Sequence, residues 1–166
     1  RMGDVYDALE LLLTDDEAVA AGKAEILCGY NNERKETESR ILAEIAGRIA
    51  ADPRLVQERA IVIDGAGWHH GVVGIICSRL VEKYGKPAST DETEGRSSGR
   101  SIDGVSVIEA VSACGDLLTR YGGHAQAAGF TVPLENLAAF RERFLGWFRE
   151  HYLVMPYYRL GADCLV

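Results

Sequence analysis

Residues 17–51 carry an unbroken helical pattern that stops at Asp52-Pro53. At 1.5 Å per residue such a helix is about 50 Å long. Its middle, Asn31-Asn32-Glu33-Arg34-Lys35-Glu36-Thr37-Glu38, is almost wholly polar. A helix of that length and polarity cannot be buried all round, so it must connect two bodies rather than sit inside one. Gly22 and Gly29 are its weak points.

On the N-terminal side, Val5, Ala8, Leu9, Leu12 and Leu13 repeat at i, i+3, i+4, i+7 and i+8. This predicts a short helix over 4–13, with Asp4 as N-cap and Thr14-Asp15-Asp16 as the break. Beyond residue 59 the texture changes to alternating strands and helices. Ala60-Ile61-Val62-Ile63 reads as a strand covered on both faces. A turn at 65–71 leads into a helix ending near Tyr84, with Gly85 just past its end and Pro87 behind it. Residues 88–98 are polar and predict a mobile loop, followed by a short strand near 99–102. Ser106-Val107-Ile108-Glu109 has the form of a capping box. It opens a helix with the stripe Ile108, Val111, Leu117, Leu118 and Tyr121, ending at Gly122-Gly123. Residues 129–132 read as a strand, 137–148 as a final helix, and 156–166 as a strand-like tail. The fold class is α/β, with a small mixed sheet, flanking helices and a long connecting helix in front.

Composition narrows the function. Eighteen basic and 25 acidic side chains give a net charge of −7, so a broad basic field for polyanions is excluded. Any anion site must be local, built from a few Arg, His and backbone N–H groups. Cys28, Cys77, Cys114 and Cys164 include no CxxC pair. They read as buried free thiols of a reducing, cytoplasmic compartment. No apolar run approaches the roughly 18 residues of a membrane span; the densest is 72–77.

Three clusters can carry chemistry. The first is Gly65-Ala66-Gly67-Trp68-His69-His70-Gly71, between a strand and a helix. His70 stands where a dinucleotide fingerprint needs its third glycine, which removes that reading. Two readings stay open: an anion site at the helix N-terminus, or a sheet end plugged by Trp68 and one histidine. The second is Ser97-Ser98-Gly99-Arg100-Ser101, an arginine framed by hydroxyls and glycine, suited to clamping a phosphate. The third is Tyr121-Gly122-Gly123-His124, followed by small residues to Gly129. It can bring backbone close to a ligand, or simply cap a helix beside a surface histidine.

In this order the motifs Trp68-His69-x-Gly71-Val72-Val73-Gly74-Ile75, Ser98-Gly99-Arg100-Ser101-Ile102 and Gly122-Gly123-His124-Ala125-x-Ala127-Ala128-Gly129 resemble the RecJ single-strand-specific exonucleases. The match is to their DHH-associated domain, the smaller lobe of the active cleft. Arg1-Met2-Gly3-Asp4 and the helix after it resemble the end of the DHH lobe. The resemblance implies a division into 1–16 (DHH-lobe remnant), 17–53 (connecting helix), 54–152 (DHH-associated domain) and 153–166 (start of a truncated domain). It implies that Ser98 and Arg100 hold a terminal 5′ phosphate, with Gly99 and Ser101 among the substrate-binding residues. His124, with Gly122 and Gly123, would face the scissile phosphate, His69 would help order that wall, and Trp68 would be a further substrate-binding residue. The metal motifs of the DHH lobe are not in this sequence, so Mn2+ or Mg2+ is expected outside it and none within it. Implied partners are single-stranded DNA with a 5′ phosphate and single-strand-binding protein, in DNA repair and recombination, with no membrane.

Two departures from the family stand out. His70 replaces a usual proline, and the polar 88–92 replaces an apolar strand. Two alternatives follow from the same residues. One is a lobe acting on very short oligonucleotides or small nucleotides, whose enzymes end soon after the Gly-Gly-His domain. The other is a non-catalytic nucleic-acid-binding module, like the related domains of alanyl-tRNA synthetases.

Overall fold

Asp16 starts the long helix by accepting backbone N–H bonds from Ala18 (2.8 Å) and Val19 (3.2 Å). The computed structural model describes residues 2–92 and 95–156. Helix α1 (Val5–Leu13) is capped by Asp4, and α2 runs over Glu17–Ala51. Of the α2 residues only Ile41 and Ile45 are buried, as its polar middle requires. Asp7 and Glu10 of α1 pair with Lys23 of α2 at 2.8 Å each. The Asp7 carboxyl is lowered from its usual range, chiefly by the hydrogen bond from Lys23. Further along, Glu38 of α2 takes Arg79 at 3.0 Å, which ties the connector to the domain that follows.

That domain is a five-stranded mixed sheet with helices on both faces, in the order β1-β2-β3-β5-β4. Its strands are β1 (Ile61–Gly65), β2 (Ala88–Glu92), β3 (Arg96–Arg100), β4 (Arg120–His124) and β5 (Ala127–Thr131). Strands β1 and β2 are parallel, joined through α3 (His70–Tyr84); the other pairings are antiparallel. Gly85 ends α3 at φ +62, as its position in the sequence predicts.

Alternation along β1 serves two cores. Ile61 and Ile63 join Ile41, Ile45, Val72, Val73, Ile76 and Leu80 under α2 and α3. Val62 faces the other core, with Ala128, Phe130 and Val132 beneath α4 (Val107–Ser112) and α5 (Leu137–His151). Phe140, Phe144 and Phe148 of α5 form a file in that core, neighbouring rings 5.3 and 5.1 Å apart. Arg149 and Glu58 (2.7 Å) fasten the end of α5, and this pair holds the Glu58 carboxyl below its usual range.

The structure differs from the sequence expectations in three stretches. Residues 88–92 form β2 rather than a mobile loop, and β3 begins at Arg96 rather than near 99. Pairing with β1 and burial on both faces override the polar composition. Thr90 is buried with its hydroxyl donating to the Val73 carbonyl (2.9 Å). The helix opened by Ser106 stops at Ser112, and Ser106 makes no side-chain cap. Leu117 ends a 3-10 turn, and Tyr121, Gly122 and Gly123 lie in β4, so the glycines end no helix. Cys28 is exposed, whereas Cys77 and Cys114 are buried; burial pushes the Cys114 thiol up to about 11. Arg1, Cys164 and the tail 157–166 lie outside the described residues.

Ser89 on β2 is fully buried, and its hydroxyl has no hydrogen-bond partner among the described residues. Its register partners Val62 and Gly99 place it toward the α4/α5 core. An unsatisfied buried hydroxyl costs about 1–3 kcal/mol. Ser89→Ala is therefore expected to stabilise the chain by about 1 kcal/mol in urea unfolding; a loss of stability would show that the hydroxyl is satisfied.

Candidate nucleic-acid interface

The ladder of β3, β5 and β4 decides which side chains meet. Arg100 pairs with Ala127, and Ala127 with His124; Ser98 pairs with Gly129, and Gly129 with Gly122; Arg96 pairs with Thr131, and Thr131 with Arg120. Directly paired residues share a face. One face of these three strands thus carries three rows: Arg100–Ala127–His124, Ser98–Gly129–Gly122 and Arg96–Thr131–Arg120. The opposite face carries Ser97, Gly99, Ala128 and Phe130, turned to α4 and α5. At about 4.8 Å per strand, Arg100 and His124 stand about 10 Å apart at the backbone. No acidic residue occurs in β3, β4 or β5, so the open face is locally cationic within an acidic chain.

Arg100 is oriented before any ligand arrives. Its Nη1 donates to Ser98 Oγ (2.9 Å) and to the Gly99 carbonyl (2.8 Å). The guanidinium lies against α3 at Gly74, where an added Cβ would come within 3.0 Å of Arg100 Nη2 and 3.2 Å of Ser98 Oγ. Glycine at this point of the helix leaves room for the arginine between helix and strand. The space beside it is a cleft of about 320 Å³ bounded by His70, Gly71, Val73 and Gly74 of α3 and by Arg96, Ser97, Ser98 and Arg100 of β3.

His124 ends β4, exposed, with its Nδ1 accepting weakly from the Gln126 N–H (3.4 Å). The hairpin tip that carries it is anchored from outside the sheet. Ser101 N–H donates to the Gln126 carbonyl (3.0 Å) and Val107 N–H to the Ala125 carbonyl (2.9 Å). Gly123 adopts φ +153, and a Cβ there would lie 2.3 Å from the Ala127 carbonyl oxygen. Only glycine allows the two strands to close in this way. Gly122 has open space above it.

The predicted site residues therefore divide. Ser98, Arg100, Gly122 and His124 lie on one open face. Gly99 turns the other way, where a Cβ would meet Val107 Cγ2 at 2.9 Å; it lets α4 sit close on the sheet. Ser101 is buried and donates its hydroxyl to the Val105 carbonyl (2.8 Å), so it shapes the loop. Trp68 is 2% exposed, with its indole N–H donating to Glu44 of α2 (3.1 Å). Of the two readings left open for the first cluster, the plug describes Trp68. His69 caps α3 through Nδ1, which accepts from Gly71 N–H (3.0 Å), and its ring stacks on His70 at 4.7 Å. Sequence reasoning missed Gly74 as a cleft residue, while His70, which also lines the cleft, belongs to the cluster for which an anion site was left open. The signal for Gly74 was a glycine inside an otherwise apolar helix pattern, which marks a close approach.

Three convergent metal donors (His, Cys, Asp or Glu) occur nowhere among the described residues. No described helix is long and apolar enough to cross a membrane.

Truncating the backbone freedom at Gly123 should disturb the hairpin. Gly123→Ala is expected to cost about 2 kcal/mol or more in denaturant unfolding. A change within about 0.5 kcal/mol would contradict the close approach of the two strands.

Residues 55–150 match the family model described as the DHHA1 domain. The chain is 36% identical over 148 residues to the single-stranded-DNA-specific exonuclease RecJ of Bacillus subtilis (strain 168), covering 86% of this chain and 19% of that protein. It is 31% identical over 157 residues to the protein of that name from Escherichia coli (strain K12), covering 87% and 27%. Among solved structures, RecJ in complex with Mn2+ from Thermus thermophilus matches with a TM-score of 0.80 at 34% identity, over 92% of this chain and 22% of that one. The chain thus spans from 19% to 27% of the length of these relatives.

Proposed function

We propose, from the premise that this chain belongs to the DHHA1 domain family, that it is the substrate-gripping lobe of a metal-dependent 5′→3′ exonuclease acting on single-stranded DNA. The observation that carries the reading is the row Arg100–Ala127–His124 beside Ser98–Gly129–Gly122 on one uncovered face. Arg100 offers a planar fork matched to phosphate, held ready by Ser98 and Gly99, and Ser98 supplies a short hydroxyl beside it. These two take the 5′-terminal phosphate. His124, across the row, faces the next phosphate, the one to be cleaved. The side-chain-free floor at Gly122 and Gly129 lets the sugar-phosphate backbone lie close to the sheet. The names of the relatives support the substrate class.

No three convergent His, Cys, Asp or Glu donors occur among the described residues, so no step here runs through a divalent ion. The Mn2+ or Mg2+ of such an enzyme belongs, in this reading, to residues outside this chain. What the chain's own residues do is bind the end of the strand, align it and offset its charge. In the same reading 1–16 close a preceding catalytic lobe, 17–53 connect, 54–152 grip the strand, and 153–166 open a further domain. Cytoplasmic work in DNA repair and recombination, and a meeting with single-strand-binding protein, belong to the same proposal.

The test is fluorescence anisotropy with 5′-phosphorylated and 5′-hydroxyl single strands, on the chain and on Arg100→Ala. A charge-assisted contact of about 1.5–3 kcal/mol corresponds to about one to two decades of affinity. The phosphate is expected to tighten binding and Arg100→Ala to erase that gain. Equal affinity for both strands, unaffected by the substitution, would overturn the assignment.

A further inference from the structure

The cleft beside Arg100 has two walls, and the contacts assigned so far to the terminal phosphate all come from one of them, β3. The facing wall is the start of α3, where His70, Gly71, Val73 and Gly74 stand. Gly74 lies against the Arg100 guanidinium, and His70 precedes it by four residues. Residues i and i+4 share a helix face and stand about 6 Å apart along the axis. His70 therefore belongs to the helix face that packs over the arginine, one turn nearer the start of α3.

Its ring is held in place but not used up. It stacks on His69, with centroids 4.7 Å apart and planes 19° from parallel. His69 is itself fixed, because its Nδ1 accepts the Gly71 N–H at 3.0 Å. His70 is exposed, and its ring nitrogens have no hydrogen-bond partner among the described residues. On the strand wall, Arg100 spends Nη1 on Ser98 Oγ and the Gly99 carbonyl, and Nη2 has no partner among the described residues. Ser98 accepts that bond, so its own O–H remains to donate. A guanidinium, a hydroxyl and an imidazole thus border one space of about 320 Å³.

A phosphate monoester at a strand end has three non-bridging oxygens, whereas a phosphodiester inside the strand has two. Donors reaching in from two walls match the first and leave one donor without an acceptor on the second, which costs affinity. The proline usual in the family at this position has no donor to offer.

We propose that His70 donates to the phosphate held by Arg100 and Ser98, and that this third donor makes the cleft select a terminal phosphate monoester over a phosphodiester. This rests on the reading that the cleft takes the 5′ phosphate of a strand. It adds a contact from α3 and a chemical reason why the cleft takes the end of a strand and not its interior.

The experiment is fluorescence anisotropy with a 3′-labelled oligothymidylate that carries a 5′ phosphate, a 5′ methyl phosphate or a 5′ hydroxyl. It uses the chain, His70→Pro, His70→Gln and Arg100→Ala. Proline suits the first helical position, and His69 before it is already extended at φ −74 and ψ 123, as a residue preceding proline must be. Thermal unfolding confirms that each variant folds. The wild-type chain is expected to bind the phosphate about tenfold more tightly than the methyl phosphate. His70→Pro should shrink that preference about fivefold and leave the gain of methyl phosphate over hydroxyl unchanged. His70→Gln, which keeps an N–H donor but loses the ring stack, should retain part of the preference. Arg100→Ala should abolish both steps. Equal weakening of all three strands by His70→Pro, or an unchanged ratio of phosphate to methyl phosphate, overturns the role of His70 while leaving the Arg100 site standing. If the wild type does not distinguish phosphate from hydroxyl, or Arg100→Ala leaves that distinction intact, the underlying reading fails and the inference with it.

Discussion

Everything at the open face depends on the register of β3 against β5 and of β5 against β4. Side chains alternate with period two, so a slip of one residue would turn Arg100, Ser98 and Arg96 into the α4/α5 core and bring Ser97 and Gly99 outward. The structure fixes the register with bonds beyond the ladder itself. Ser101 and Val107 hold the hairpin tip from one end, while Val132 N–H donates to the Gly95 carbonyl (2.8 Å) and Thr119 N–H to the Thr131 carbonyl (2.9 Å) at the other. Gly123 then permits an approach that no residue with a Cβ could make. Several residues that look like ligand contacts in the sequence, Gly99 and Ser101 among them, serve the register instead.

The second constraint is unequal cover of the two sheet faces. Helices α4 and α5 roof one face with a phenylalanine file, whereas α3 packs on β2 and β3 and leaves β5 and β4 bare on its side. All five residues of β4 are exposed. An uncovered sheet face in an aqueous protein must be polar or built of small residues, and here it is both. No acidic residue occurs in β3, β4 or β5, so a net charge of −7 coexists with basic side chains on the open face of these strands. Such an arrangement favours a ligand that enters along the face and disfavours adhesion of polyanions elsewhere on the surface.

Much of this could be read from the sequence where local signals and tertiary demands agree. The capped α1, the polar connector α2, the apolar β1, the glycine-ended α3 and the phenylalanine-striped α5 follow that pattern. The rest was hidden by competition between them. Strand β2 is polar because Thr90 spends its hydroxyl on Val73 and Ser89 is simply enclosed, and neither fact has a local signature. The stripe through Leu117, Leu118 and Tyr121 matches a helical period by coincidence. Leu117 and Leu118 pack on the same core from a 3-10 turn and its end, and Tyr121 belongs to a strand. At the site, the motifs carrying Ser98, Arg100, Gly122 and His124 were legible as clusters. Which way each residue faces was not, because facing is set by pairing between strands far apart in sequence. Trp68 illustrates the limit: the sequence left an anion site and a plug equally open there, and only the packing shows the plug, bonded to Glu44.

The central claim is that the α3-side face of β3, β5 and β4 is where a single strand lies. The most direct measurement is a two-dimensional amide NMR titration of the chain with a short 5′-phosphorylated single strand. The account predicts that the amides of Gly74, Ser98, Gly122, Ala127 and Gly129 shift together and saturate at one affinity, while those of α1 and α5 stay still. Shifts confined to the apolar groove between Leu42, Ile49 and Tyr84 at the ends of α2 and α3, or scattered without saturation, would contradict it.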